Sequence, residues 1–104
     1  MYEYAAVLAR VVDADTVRLV LDLGFHMTRR EQPYRLLRIN APEISTEEGK
    51  AAKAWMEMFL KEKPMRAVTQ KSDNFGRYLC ELYAGNENVS DSLVAAGMAT
   101  YKVY

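Results

Sequence analysis

With 104 residues the chain has room for one domain and one core, and its 50% hydrophobic content excludes a disordered or collagen-like polymer. Fourteen Lys and Arg balance 14 Asp and Glu, which excludes a generic cationic coat for nucleic acid. Any phosphate binding must come from a local cluster, and the single cysteine, Cys80, allows neither an intrachain disulfide nor a thiol zinc site.

No segment is apolar and long enough to cross a bilayer, so no membrane partner is expected. The start Met1-Tyr2-Glu3 has no basic n-region, and a cytoplasmic location is expected. Repeats and low-complexity stretches are absent, and one domain over residues 1–104 is expected.

Residues 4–12 read as a first strand, rich in Val, Leu and Ala. Asp13-Ala14-Asp15 is a turn signal. Residues 16–23 form a second strand, alternating Val17, Leu19, Leu21 and Leu23 with polar positions. The polar stretch 25–33 reads as a long hairpin loop leading to a third strand over 34–39. Arg29 and Arg30 in that loop read first as a solvated basic face, with phosphate contact as the alternative.

Pro42 ends the third strand. Ser45-Thr46-Glu47-Glu48 is a capping-box pattern opening a helix that should end near Lys63, before Pro64. Ala51, Ala54, Trp55, Met58 and Phe59 make one apolar stripe at helical spacing, expected to cover the barrel through Trp55 and Phe59. Residues 65–70 and 77–83 read as two more strands joined across residues 72–76. Ser90 is the expected cap of a short last helix, with Asp91 in its first turn and Gly97 closing it. Five short strands, with a helix between the third and fourth and a short helix after the fifth, make an α+β chain laid out as an OB-fold barrel.

Histidine chemistry has little footing, because His26 is the only histidine and reads as a solvated loop residue. Cys80 has no histidine near it and reads as core. The remaining chemistry is oxygen and guanidinium: Asp13 and Asp15 at one strand junction, Asn40 and Glu43 around the end of the third strand, and Arg35 and Arg77 on strands. Hard carboxylate and amide oxygens suit calcium or magnesium. Arginine forks match phosphate oxygens and stay charged. Phosphodiester hydrolysis needs these parts. Taken singly, each has a plainer reading: an Asx turn for Asp13 to Asp15, a surface strand for Arg35, a helix-dipole contact for Glu43.

The order of the segments resembles a family. Val12-Asp13-Ala14-Asp15-Thr16-Val17, Tyr34-Arg35-Leu36-Leu37-Arg38-Ile39-Asn40-Ala41-Pro42-Glu43, Asp73-Asn74-Phe75-Gly76-Arg77 and Ser92-Leu93-Val94-Ala95-Ala96-Gly97-Met98-Ala99 together look like staphylococcal nuclease (thermonuclease). The resemblance implies a calcium-dependent endonuclease acting on DNA or RNA, with magnesium or manganese as alternative ions. It implies Asp15, Asn40 and the Ala41 backbone carbonyl as metal ligands, with Asp13 just outside orienting bound water. Arg35 and Arg77 would grip the scissile phosphate, and Glu43 would be the general base.

Three departures matter. The family usually has aspartate at the position of Asn40, so the site loses one negative charge and weaker metal binding is expected. Asn74-Phe75 replaces a lysine and tyrosine that contact a terminal phosphate. No counterpart of the family's C-terminal helix is expected within residues 1–104, and either Tyr101 or Tyr104 is expected near the place of its nucleotide-stacking tyrosine, with core or edge packing as the alternative. A second functional reading is an OB-fold nucleic-acid-binding module without catalysis, and a third is a purely structural protein. The retained Asp15, Arg35, Glu43 and Arg77 argue against both.

Overall fold

The computed structural model describes residues 2–70 and 78–102. Its elements run β1 (Tyr2–Asp13), β2 (Thr16–Gly24), β3 (Met27–Leu36), β4 (Ile39–Asn40), α1 (Glu47–Leu60), β5 (Met65–Gln70), β6 (Tyr78–Ala84), β7 (Glu87–Asn88), α2 (Val89–Ala95) and β8 (Thr100–Tyr101). β1, β2 and β3 form an antiparallel meander, and β5 joins β1 on its other side. β6 pairs antiparallel with β5 and parallel with β3, through Tyr34 opposite Tyr78 and Leu36 opposite Cys80. That last pairing closes β3-β2-β1-β5-β6 into a five-stranded OB-type barrel, with α1 between its third and fourth strands and α2 after its fifth. Two-residue β4 and β8 pair with each other beside it.

The alternation in β2 does what its period requires: Val17, Leu19 and Leu21 point inward and are buried. Leu23 breaks the expectation and is 41% exposed. A register shift between Asp22 and Gly24 inserts an extra residue there, and a bulge turns the side chain away from its ladder face. Tyr34, Leu36, Leu82, Cys80 and Ala67 fill the barrel from the other strands.

Three expectations need correction. The stretch 25–33 is not a long loop: β2 and β3 stay paired out to Gly24 and Met27, and only Phe25 and His26 make the turn. The third strand ends at Leu36 rather than Ile39, because Arg38 takes a left-handed conformation (φ +73°) that breaks the ladder before β4.

The third correction concerns the helices. Thr46, not Ser45, caps α1, its side chain accepting from the Gly49 N–H, and the helix ends at Leu60. Its buried line is Gly49, Ala52, Met56 and Leu60, one position round from the stripe expected. Trp55 and Phe59 pack beside that line with ring centroids 4.6 Å apart, whereas Met58 is 73% exposed. Both sides of α1 carry apolar residues, so periodicity alone chose the wrong arc. Asn88, not Ser90, caps α2, accepting from the Asp91 N–H. Gly97 (φ +75°) closes it as expected, with Met98 N–H donating to Leu93 O and Gly97 N–H to Val94 O.

Candidate active site

The β1–β2 turn is short because Asp13 pairs with Thr16, leaving Ala14 and Asp15 between them. Ala14 is fully buried and anchors the turn in the core. The Asp15 carbonyl accepts from Leu36 N–H at 2.8 Å, which pins the end of β3 against the turn. The chain then bends through Leu37 and Arg38 and brings β4 back beside the same turn.

Asp15 meets Arg35 and the Asn40–Ala41 segment, 20 to 26 positions away, as a result. Arg35 Nη2 donates to Asn40 Oδ1 at 2.8 Å and to Asp15 Oδ2 at 3.4 Å. Ala41 N–H donates to the same Asp15 oxygen at 3.2 Å. Asp15 and Arg35 are both mostly buried at their side chains, which strengthens the pairing over a surface contact. Asp13 lies two residues before Asp15, its Oδ1 buried and without a hydrogen-bond partner among the described residues. Burial raises the Asp13 carboxyl to a pKa of about 6, and the hydrogen bond and charge of Asp15 push in the same direction.

Glu43 stands apart from this group. Its side chain is exposed and makes no hydrogen bond or ion pair with Asp15, Arg35 or Asn40. Its backbone is firmly held: the Glu43 carbonyl accepts from Thr46 N–H at 3.0 Å and from Thr46 Oγ1 at 2.6 Å. Thr46 Oγ1 in turn accepts from Gly49 N–H at 3.0 Å, so the segment carrying Glu43 is tied to the first turn of α1.

The corner before Asn40 has its own clamp, which sequence reading missed. Arg38 donates to Glu81 through Nε and Nη2, to Asp91 through Nη1 at 3.0 Å and to Asn88 through Nη2 at 3.2 Å. These partners hold its guanidinium charged, Glu81 most strongly. Ser90 Oγ donates to Leu37 O at 3.0 Å, and Lys102 N–H to Arg38 O at 2.8 Å. β6, β7, α2 and the segment after β8 thus fix the bend that presents Asn40.

Tyr101 pairs with Ile39 across β4–β8, one register step from Asn40. Its hydroxyl donates to Asp91 Oδ1 at 2.8 Å while half of the residue stays exposed. A groove of about 290 Å³ runs between residues 40–42 and 97–100 on this side. Arg77, Tyr104 and the Asn74-Phe75 pair lie outside the described residues.

The oxygens here are hard donors. Asp15 Oδ2 and Asn40 Oδ1 converge on one cationic nitrogen, Arg35 Nη2, so a small cation could reach both, and the unpartnered Asp13 Oδ1 adds an acceptor nearby. No cluster of three or more His, Cys, Asp or Glu is present among the described residues. Carboxylate and amide oxygens of this kind suit a hard divalent ion better than a soft one.

A closed five-stranded barrel with carboxylate, amide and guanidinium groups at one strand end defines an OB-fold protein with a polar cluster at the barrel rim. Residues 33–104 match the family model described as staphylococcal nuclease homologue, and the chain belongs to that family. No curated protein matches the chain. Among the described residues, no helix is long and apolar enough to cross a membrane.

Proposed function

We propose that this protein is a metal-dependent nuclease that hydrolyses phosphodiester bonds of DNA or RNA, calcium being the favoured ion. The observation that carries the reading is the convergence of Asp15 and Asn40 oxygens on the Arg35 guanidinium. That arrangement puts cation-binding oxygens and a phosphate-binding fork side by side. Family membership supports a nucleic-acid substrate.

In this reading Asp15, Asn40 and the Ala41 carbonyl would hold the ion, with Asp13 behind them. A bound divalent ion supplies Lewis-acid polarisation of the phosphate and acidifies a water ligand. Arg35 would release its bond to Asn40 and turn its fork onto a non-bridging phosphate oxygen, where charge grows in the transition state. Arg77 would hold a second oxygen. Glu43, exposed on a tethered backbone, would accept the proton of the attacking water at its carboxylate.

The test is direct. Plasmid, single-stranded DNA and RNA are incubated with calcium, magnesium, manganese or chelator, and products are followed on a gel. Cutting with calcium and none with chelator is the expected result. Binding without cutting under every ion would sink the catalytic reading and leave a binding module.

A further inference from the structure

The outer half of the β2–β3 hairpin violates two local rules at one residue. Gly24, Phe25 and His26 follow one another with φ of +84°, +53° and +61°, so a phenylalanine and a histidine occupy the backbone region that favours Gly or Asn. Phe25 is also 96% exposed, and its neighbours Leu23 and Met27 are 41% and 61% exposed. Nothing in the barrel core accounts for this, because the tip lies beyond it. β2 runs from Thr16, next to Asp15, out to Gly24, a span of about 26 Å at about 3.3 Å per residue. A strained turn that displays a bare aromatic ring is a contact waiting for a partner.

The charges around it say which partner. The chain as a whole is neutral, yet residues 23–30 hold two arginines and a histidine and no acid. Of the flanking acids, Glu31 is ion-paired with Arg18 at 2.9 Å, while Asp22 Oδ1 accepts from the Gly24 N–H at 2.8 Å within the turn. Arg30 is exposed and has no ion pair among the described residues. Arg29 lies over the Tyr78 ring at 4.7 Å from its centroid and donates to the Tyr78 hydroxyl at 2.6 Å. Tyr78 pairs across the barrel seam with Tyr34, the neighbour of Arg35. The Arg29–Tyr78 contact therefore stands along β3 between Arg35 and the tip at Phe25.

We infer that the Leu23 to Arg30 tip is a second nucleic-acid contact, distant from the cutting site, in which the Phe25 ring stacks on a base and Arg29 and Arg30 meet phosphates. Exposed aromatic rings interleaved with arginines are how sequence-tolerant strand-binding surfaces are built. The separation corresponds to about eight base pairs at about 3.4 Å each, so only a strand much longer than a dinucleotide engages both ends. The tip would then raise affinity for long chains and leave the chemistry on short ones alone. This inference rests on the nuclease reading for its continuity with Arg35.

Phe25→Asn is the informative variant, because asparagine accepts the left-handed turn and removes only the ring. Binding of a labelled single strand of about 40 nucleotides is measured by anisotropy in chelator, and cleavage of a thymidine dinucleotide in calcium. Phe25→Asn should weaken 40-mer binding about tenfold, the scale of one lost stacked base, while its melting temperature holds or rises and dinucleotide cleavage is unchanged. Arg30→Ala should lower the slope of log affinity against log salt by about 0.7, one phosphate contact on a single strand. Parental 40-mer affinity in Phe25→Asn overturns the inference, and so does an equal loss on both substrates. Parental 40-mer affinity with lost binding to phosphatidylglycerol vesicles would make the tip a membrane contact instead. If the parent protein cuts neither substrate, the catalytic reading fails while the chelator binding experiment still decides the tip.

Discussion

A β-carbon on Gly49 would stand 1.8 Å from the carbonyl oxygen of Glu43. The segment before α1 therefore lies against the helix start only because that position has no side chain. Thr46 holds the same carbonyl from the other direction. In an open helix Gly→Ala stabilises by about 1 kcal/mol. Here backbone must move, and overpacking of this kind costs about 1–3 kcal/mol. Gly49→Ala should thus destabilise in urea titration and lower turnover by displacing Glu43. A more stable Gly49→Ala protein would show that the contact does not exist in solution.

Arg35 should separate charge from geometry. Arg35→Ala should lower kcat by about 100- to 1,000-fold, the scale of one transition-state donor. Lysine keeps the charge but cannot span Asn40 and Asp15, or two phosphate oxygens, with one planar fork. Arg35→Lys should recover less than about tenfold of the lost rate, a bound taken from the weaker match of a point charge. Single-turnover cleavage of a labelled oligonucleotide checks both. Near-parental cutting by Arg35→Lys would remove bidentate recognition from the mechanism.

How much of this was legible depends on which residues touch the core. β5 spans Met65–Gln70 as expected, because Pro64 marks its start and its pattern is half-buried. Val17, Leu19 and Leu21 announced β2 for the same reason. Thr28, Arg29, Arg30 and Glu31 belong to β3 but are all exposed, so they carry no alternation and read as loop. Arg38 was invisible as a clamp, since Glu81, Asn88 and Asp91 lie 43, 50 and 53 positions away. The meeting of Asp15 with Arg35 and Asn40 needs the β2–β3 ladder, which sets Thr16 opposite Arg35, and the bend after Leu36. Segment order points to the same three residues only through the family resemblance, since no spacing rule links position 15 to positions 35 and 40.

Asp13 should leave a signature in stability against pH. Its native pKa is about 6, above the ordinary 3.8, so the folded state binds its proton more tightly than the unfolded chain does. The group's favourable contribution is complete below about pH 4 and is lost as pH rises through about 6. Metal-free Asp13→Asn should therefore be more stable than the parent at pH 7.5, by about 1 kcal/mol once solvent screening of a half-buried group is allowed for. The advantage should vanish near pH 4. Urea titrations in chelator at the two pH values measure it. A gain that is the same at both would mean that Asp13 does not titrate in this window.

Asn40 stands where the family resemblance implies an aspartate, and its contacts in the structure sharpen what replacement should do. Its Oδ1 accepts from Arg35 Nη2 at 2.8 Å, so a carboxylate there would meet a guanidinium as well as any ion. An added charge at calcium-ligand range attracts the ion, but Arg35 competes for it, and Asp13 and Asp15 nearby resist another anion. The net gain should be modest: Asn40→Asp is expected to tighten calcium binding about tenfold, or about 1.4 kcal/mol. Arg35 should oppose that gain, so Asn40→Asp in an Arg35→Ala background should tighten it further. Calorimetric titration with calcium of these proteins, and of Asp15→Ala with and without Asn40→Asp, decides the matter. Equal affinities with and without Asn40→Asp, while Asp15→Ala abolishes binding in both, would mean that Asn40 is held by Arg35 alone and contributes no oxygen to the ion.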